Sequence, residues 1–274
     1  MIFACDLDQT LIYSRRSMGS VEESELVPVE KYEGDDLSFM TRTAYSRLRE
    51  LSREIDFVPT TTRIYEQYER IHGLTDGIRI RYAIVSNGGR VLVDGRTDAG
   101  WDGMIREAVR SGAAPGAEAK ALFDRMAGDG WVLKERYCDG LFYAIVVDRE
   151  RIPRGWMEEL AGELAAMGWN CSLQGRKVYL VPDPVSKGAA VRYVKELAGA
   201  SFVFAAGDSL LDESMLRIAD AAMAPGHGEL FRNYGGAGGS GSGSIRFAGR
   251  SGILASEDIL NAAANGRLET RHTG

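Results

Sequence analysis

Three segments of the chain share one pattern: a short run of apolar residues, rich in β-branched and aromatic side chains, that stops abruptly at polar ones. They are Ile2 to Cys5 before Asp6, Phe57-Val58 before Thr60, and Phe202 to Ala206 before Gly207-Asp208. None alternates apolar with polar, so each suits a strand buried on both faces, as in a parallel sheet covered by helices. Tyr82 to Val85, ending at Ser86-Asn87-Gly88, reads as a fourth. Helical spacing fills the intervals. Ala44, Leu48, Leu51 and Ile55 share a face before the second strand, and Val191, Val194 and Leu197 share one before the Phe202 strand. Strand and helix alternate, which indicates an α/β fold with a doubly wound parallel sheet, whose chemistry gathers at the carboxyl ends of the strands.

The middle of the chain reads differently. Helical stretches at Trp101 to Ser111, Gly116 to Ala127 and Trp156 to Met167 are interleaved with strand-like runs at Trp131 to Tyr137, Leu141 to Val147 and Lys177 to Val181. Asp139-Gly140 supplies a hairpin turn between the first two runs. This is material for a smaller α/β module inserted into the first, giving a discontinuous core over 1–98 and 181–274 and an insert over 99–180. A second hairpin, around Glu33-Gly34-Asp35-Asp36, occupies a flap at 15–41. The Gly/Ser tract from Gly235 to Ser244 has no strand leading into it and no closing lysine, so it reads as a linker or loop and not as a phosphate cradle. A short helix from Ile253 to Asn261 follows.

Composition narrows the classes. At 274 residues the chain exceeds the usual single domain of roughly 100–200 residues, in keeping with two modules. With 33 Lys+Arg against 39 Asp+Glu its net charge is −6, which argues against a basic nucleic-acid grip. Its longest apolar runs fall short of the roughly 18 residues of a membrane span. Cys5, Cys138 and Cys171 are few and far apart, fitting a reducing compartment, and the first residues lack a basic leader, so a cytoplasmic location is expected. Trp101, Trp131, Trp156 and Trp169 all fall in the insert, most as its core, with one free to close over a substrate ring. Histidine occurs only 3 times, and both His72, before Gly73 at an apparent helix end, and His227, in a Pro-Gly-His-Gly turn, read as structural.

Chemistry concentrates at the polar stops. Asp6-Leu7-Asp8-Gln9-Thr10 puts two carboxylates after a buried strand, and Gly207-Asp208-Ser209-Leu210-Leu211-Asp212 repeats the arrangement before the helix containing Met215. Clustered acids are costly unless a cation offsets them, and an all-oxygen donor set points to Mg²⁺. Each run also suits a turn or helix cap, a reading that the metal role does not exclude. Thr60-Thr61-Thr62-Arg63 adds hydroxyls at a third strand end, and Lys187-Gly188 an ammonium at a helix start, the groups a phosphoryl oxygen requires.

In that order, a DxDxT run, a hydroxyl, a lysine and a GDSxxD run, the chain resembles the haloacid dehalogenase-like (HAD) superfamily of phosphohydrolases. The insert after the second motif and the segment through Asn87-Gly88 resemble its subgroup with a large α/β cap, which includes Cof-type sugar phosphatases and sucrose-phosphate phosphatases. The resemblance implies a Rossmann-like core and a Mg²⁺-dependent phosphatase acting on a small phosphorylated metabolite, chiefly a sugar phosphate. Asp6 would be the nucleophile, forming an aspartyl-phosphate, and Asp8 the general acid and base. Asp6, the backbone carbonyl of Asp8, and Asp208 would hold the metal, with Asp212 as a further ligand or as support. Thr61 with the Thr62 amide would bind phosphoryl oxygens, Lys187 would offset charge, and Asn87 and Gly88 would lie beside the substrate. Gln9 replaces a common glycine, the flap is enlarged, and the last motif lacks an asparagine that many relatives carry. Two alternatives stay open: a phosphotransferase or mutase on the same scaffold, and a catalytically idle ligand-binding protein.

Overall fold

The structure, a computed structural model, describes residues 1–128, 130–235 and 245–272, with side chains as far as 266. Most of the Gly/Ser tract, 236–244, lies outside these residues. The chain divides into two compact units, Met1–Asp98 with Lys187–Gly274, and Ala99–Ser186.

In the first unit, β1 (Ile2–Cys5) is followed by the hairpin β2 (Leu26–Tyr32) and β3 (Asp35–Thr41), helix α1 (Arg42–Leu51) and β4 (Asp56–Pro59). Two short helices, α2 (Tyr65–Tyr68) and α3 (His72–Thr75), precede β5 (Tyr82–Val85), β6 (Arg90–Val93) and β7 (Arg96–Thr97). The second unit holds α4 (Ala99–Gly112), α5 (Gly116–Ala127), β8 (Val132–Cys138), β9 (Phe142–Val147), α6 (Trp156–Ala165), β10 (Trp169–Gln174) and β11 (Lys177–Pro182). The chain then returns to the first unit with α7 (Lys187–Leu197), β12 (Val203–Ala206), α8 (Glu213–Ile218), β13 (Ala221–Ala224), α9 (Gly228–Tyr234), β14 (Ile245–Phe247) and α10 (Ala255–His272).

The central sheet runs β14-β13-β12-β1-β4, every neighbouring pair parallel. β1 and β12 are buried along their whole length, as unbroken apolar runs require. Phe3 packs against Phe57 and Phe204 on the adjacent strands at ring-centroid distances of 5.6 and 5.7 Å. On α1, Ala44, Leu48 and Leu51 face this core, and Thr41 caps the helix by accepting the Ala44 N–H. α10 packs against α1 and adds Ile259, Leu260 and Ala263 to the same cluster, a longer docking helix than its apolar spacing suggests.

Two expectations are corrected. Tyr82–Val85 is a strand, but it heads the antiparallel sheet β5-β6-β7 and meets the parallel system through a single bridge, Thr60 to Ile84. Only four residues separate Tyr82–Val85 from its partner β6, too few for the crossover that parallel pairing needs. Leu197 is exposed, because the buried stripe of α7 is Lys187, Ala190, Val191 and Val194, and Leu197 ends the helix.

The second unit is a four-stranded antiparallel sheet, β10-β11-β9-β8, with apolar residues of α5 and α6 in its core. Asp139 (φ 51°) and Gly140 (φ 69°) make the tight turn of the β8–β9 hairpin, both left-handed as that turn demands. β10 is a strand beyond those expected from the sequence, with Trp169, Cys171 and Leu173 alternating toward the core. Trp131, Trp156 and Trp169 are core residues here, Trp131 standing edge-on to Trp156 at 4.8 Å, and none is free to close over a ring. The unit ends at Ser186, beyond the residue 180 expected, because the boundary follows the end of β11 and not its middle. No helix among the described residues is long and apolar enough to cross a membrane.

Candidate active site

The polar stops of the apolar runs meet at the carboxyl end of the parallel sheet. Asp6 N–H donates to Ala206 O at 2.9 Å and Thr60 N–H to Cys5 O at 2.8 Å, so the ladder carries on to the residues just past β1, β12 and β4. Asp6 is 5% exposed, and its side chain accepts from Thr10 Oγ1 at 3.2 Å. Lys187, the first residue of α7, is fully enclosed. Its Nζ donates to Asp6 Oδ1 at 2.6 Å and to Asp212 Oδ1 at 2.5 Å. The other Asp212 oxygen accepts from the N–H groups of Asp208 and Ser209, at 3.1 and 2.9 Å, and from Ser209 Oγ at 2.7 Å. Asp212 therefore organises the loop that carries Asp208. A Cβ at Gly207 would lie 2.4 Å from Asp212 Cβ, so the loop closes this tightly only around glycine.

Asp6, Asp208 and Asp212 each offer an oxygen within 4.8 Å of the others, all three residues being buried. Three carboxylates against one ammonium leave a surplus of negative charge. Burial pushes the Asp6 carboxyl up to about 7, Lys187 pulling against it and Asp212 adding to it. Asp208 is raised for the same reasons, burial first and then Asp6 and Asp212. Burial acts to lower the Lys187 pKa, but Asp212 and Asp6 outweigh it and hold the ammonium above its usual value. The oxygen-only donor set and its unbalanced charge fit a hard divalent cation such as Mg²⁺.

The Asp8 carboxylate stands apart from this cluster. It is gripped by Arg63, with Nε to Oδ2 and Nη2 to Oδ1 both at 2.7 Å. Arg63 in turn binds the buried Glu30 of β2. Burial alone would lower the Arg63 pKa, but Asp8 and Glu30 raise it, and the guanidinium stays charged. From sequence alone neither Arg63 nor Glu30 stands out as a functional residue. The residues gave no signal for Glu30, since Val29-Glu30 keeps the apolar–polar alternation of a hairpin strand and only the fold buries both.

Thr61 is buried at the end of β4, donating its N–H to Ile84 O at 2.8 Å and accepting the Arg63 N–H on Oγ1 at 3.1 Å. Thr62 is partly exposed beside it. Asn87 N–H donates to Thr61 O at 3.0 Å, which laces the Ser86–Gly88 turn to the threonine loop. Asn87 itself is left-handed (φ 57°), and its buried Oδ1 has no hydrogen-bond partner among the described residues.

His72 opens α3 and does not close a helix, so no dipole argument applies to it. His227 sits just before α9, where Nδ1 accepts the Gly252 N–H at 3.1 Å, leaving the proton on Nε2 to reach Gln9 O at 3.0 Å. It is a structural tie, but one that braces the turn between Asp8 and Thr10.

No family model of protein sequences matches the chain, and no curated protein does so significantly. Solved structures do. Sucrose-phosphatase from Synechocystis, in complex with sucrose and phosphate, superposes with a TM-score of 0.68 at 15% identity, covering 97% of each chain. A HAD subclass IIB sugar phosphatase gives 0.60 at 12% identity over 96% of this chain and 98% of its own. A haloacid dehalogenase-like hydrolase protein from Bacillus subtilis gives 0.53 at 13% over 96% and 91%. The fold is that of the HAD superfamily. At identities this low the likeness is one of fold, a Rossmann-like HAD core interrupted by a cap. Within this fold, three of the four sequence motifs contribute Asp6, Lys187, Asp208 and Asp212 to one buried cluster, and the fourth, the Thr61 loop, is laced to the Asn87 turn.

Proposed function

We propose that the chain is a Mg²⁺-dependent phosphatase of small phosphorylated metabolites, with sugar phosphates as its substrate class. The observation that carries this reading is the buried cluster of Asp6, Asp208 and Asp212 around the Lys187 ammonium at the carboxyl end of a parallel sheet. The sugar-phosphatase names among the structural neighbours support the substrate class.

Asp6 attacks phosphorus and displaces the leaving oxygen, which takes a proton from the Asp8 carboxyl. Water then attacks the aspartyl-phosphate, giving its proton to Asp8 and releasing phosphate from Asp6. Lys187 offsets the charge of nucleophile and phosphoryl group as they approach. Thr61 and the Thr62 amide bind phosphoryl oxygens and Asn87 binds the substrate beside Gly88, its unpartnered Oδ1 being placed to accept from a substrate hydroxyl. Asp6, Asp208 and the Asp8 backbone carbonyl, with Asp212 as a further ligand or as support, would hold Mg²⁺, which would supply positive charge for the phosphoryl oxygens.

The test is a panel of phosphate esters assayed with and without Mg²⁺. Release of inorganic phosphate from sugar phosphates, dependent on the metal, is expected. Transfer of the phosphoryl group to a second sugar in place of water would replace hydrolase by phosphotransferase. Binding of esters without turnover would mark an idle relative.

A further inference from the structure

Glu30 is the buried charged residue of the flap hairpin, and the strand is deformed to put it there. The β2–β3 register shifts on both sides of Glu30, and Val29 and Glu30, neighbours in sequence, are both buried. A regular strand would send them to opposite faces, and a bulge is what re-aims one of them. The Glu30 carboxylate is fully engaged: Oε1 accepts Arg63 Nη1 at 2.7 Å and has Arg70 Nη2 at 3.4 Å, while Oε2 accepts Ser38 Oγ at 2.6 Å and Arg63 Nη2 at 3.0 Å. The adjacent edge of the same guanidinium, Nε with the shared Nη2, holds both oxygens of Asp8.

We propose that Glu30 is a positioning residue for the Asp8 carboxyl group, acting through Arg63. The inference rests on the reading of Asp8 as the acid that protonates the leaving oxygen. The Asp8 side chain is 49% exposed, and an ion pair that open is too weak to hold a side chain in one orientation. Glu30 supplies what that pair lacks. Its side chain is 2% exposed and fixes the plane of the guanidinium from behind, so the planar fork meets Asp8 already aimed. An apolar residue at the bulge would pack the hairpin without the desolvation of a carboxylate, whereas only an anion there directs Arg63.

The consequence is confined to one bond. As the phosphorus–oxygen bond to the leaving group breaks, its electron pair passes to that oxygen, which takes the Asp8 proton. A sugar alkoxide needs the proton, and a nitrophenolate leaves without it. Release of the leaving group in a single turnover should be compared for the wild-type chain, Glu30→Gln and Arg63→Lys, with a sugar phosphate and with p-nitrophenyl phosphate. Both variants are expected to slow the sugar ester about tenfold or more while changing the nitrophenyl ester by less than about twofold. Equal loss on both esters, or no loss, overturns the proposal, because a role in holding the hairpin alone would not separate the two substrates. If Glu30→Gln does not fold, Ser38→Ala loosens Glu30 through one hydrogen bond and must show the same split in smaller measure, its absence counting against the proposal. A crystal structure of the folded variant gives an independent reading. Asp8 swung off the Arg63 fork is expected, and Asp8 unmoved overturns the positioning role. That readout needs no turnover, so a wild-type chain that hydrolyses no ester would count against the phosphatase reading alone.

Discussion

Lys187 and Asp6 form an enclosed ion pair, Nζ to Oδ1 2.6 Å, although 181 positions separate them in sequence. Lys187 opens the helix that follows the inserted unit, and Asp6 ends the first strand, so the pair forms only once the interrupted unit has closed on itself. Its ammonium is shared with Asp212, which makes it the hub of the buried charge.

Replacing Lys187 by Met removes that hub and leaves two buried carboxylates facing each other. Breaking a buried pair from one side costs about 3–5 kcal/mol. Urea unfolding should show a loss of that order. Phosphate release should fall by about 10²–10³ where the protein remains folded, as for loss of one preorganised charge partner. An unchanged unfolding midpoint would contradict the burial described.

Asp6→Asn keeps the shape of the side chain but not its nucleophilic carboxylate. The chain should fold, and turnover of any phosphate ester should vanish. Acid quenching during turnover should trap phosphate on a peptide containing Asp6 in the wild-type chain and on none in the variant. Full activity in Asp6→Asn would sink the assignment of the nucleophile.

A divalent cation that binds the folded chain alone stabilises it by mass action, by about 2.7 kcal/mol at a concentration 100 times its dissociation constant. Thermal melting with added Mg²⁺ should therefore move to higher temperature, and Asp208→Asn should abolish most of the shift. A variant that melts with the same Mg²⁺ increment as the wild type would remove Asp208 from the ligand set.

Gly207→Ala places a methyl group 2.4 Å from Asp212 Cβ. Overpacking of this kind costs about 1–3 kcal/mol, and here the displaced group is the carboxylate that ties Lys187 to the Asp208 loop. Loss of Mg²⁺ stabilisation together with a lowered urea midpoint is expected. A variant with wild-type metal response would show that the loop has room the distances deny.

Burial lowers the His227 pKa below its usual value, and nearby Arg232 lowers it further against the opposing hydrogen bond to Gln9 O. The Tyr13 ring stands 5.8 Å away on the other side. The folded state thus binds this proton less well than the unfolded one. Stability from the neutral ring is complete above the unfolded pKa of about 6.5 and is lost as pH falls through the folded value. Between pH 7.5 and 5.5 the urea midpoint of the wild type should fall more than that of His227→Asn, the difference between the two chains isolating this histidine from the other acids. Equal falls would refute the linkage.

Much of this was legible in the residues. Unbroken apolar runs before Asp6 and Asp208 marked strands that a parallel sheet buries on both faces, and Asp139-Gly140 marked its hairpin, because local sterics and burial act over a few neighbouring positions. The same runs named Asp6, Asp208 and Asp212 as candidates. Pairing could not be read that way: Tyr82–Val85 has the composition of a buried strand, yet the short link to Arg90 turned it antiparallel.

Sequence by itself determined which side chains carry charge at strand ends, and therefore the fold class and the chemistry those ends can hold. Tertiary structure alone decided how those charges are shared. It placed Lys187 between Asp6 and Asp212, turned Asp212 to the loop that carries Asp208, and set Arg63 between Asp8 and Glu30. The reason is physical. Strand and helix formation depend on neighbours along the chain, whereas a buried charge is stable only through partners that burial itself brings within hydrogen-bonding reach.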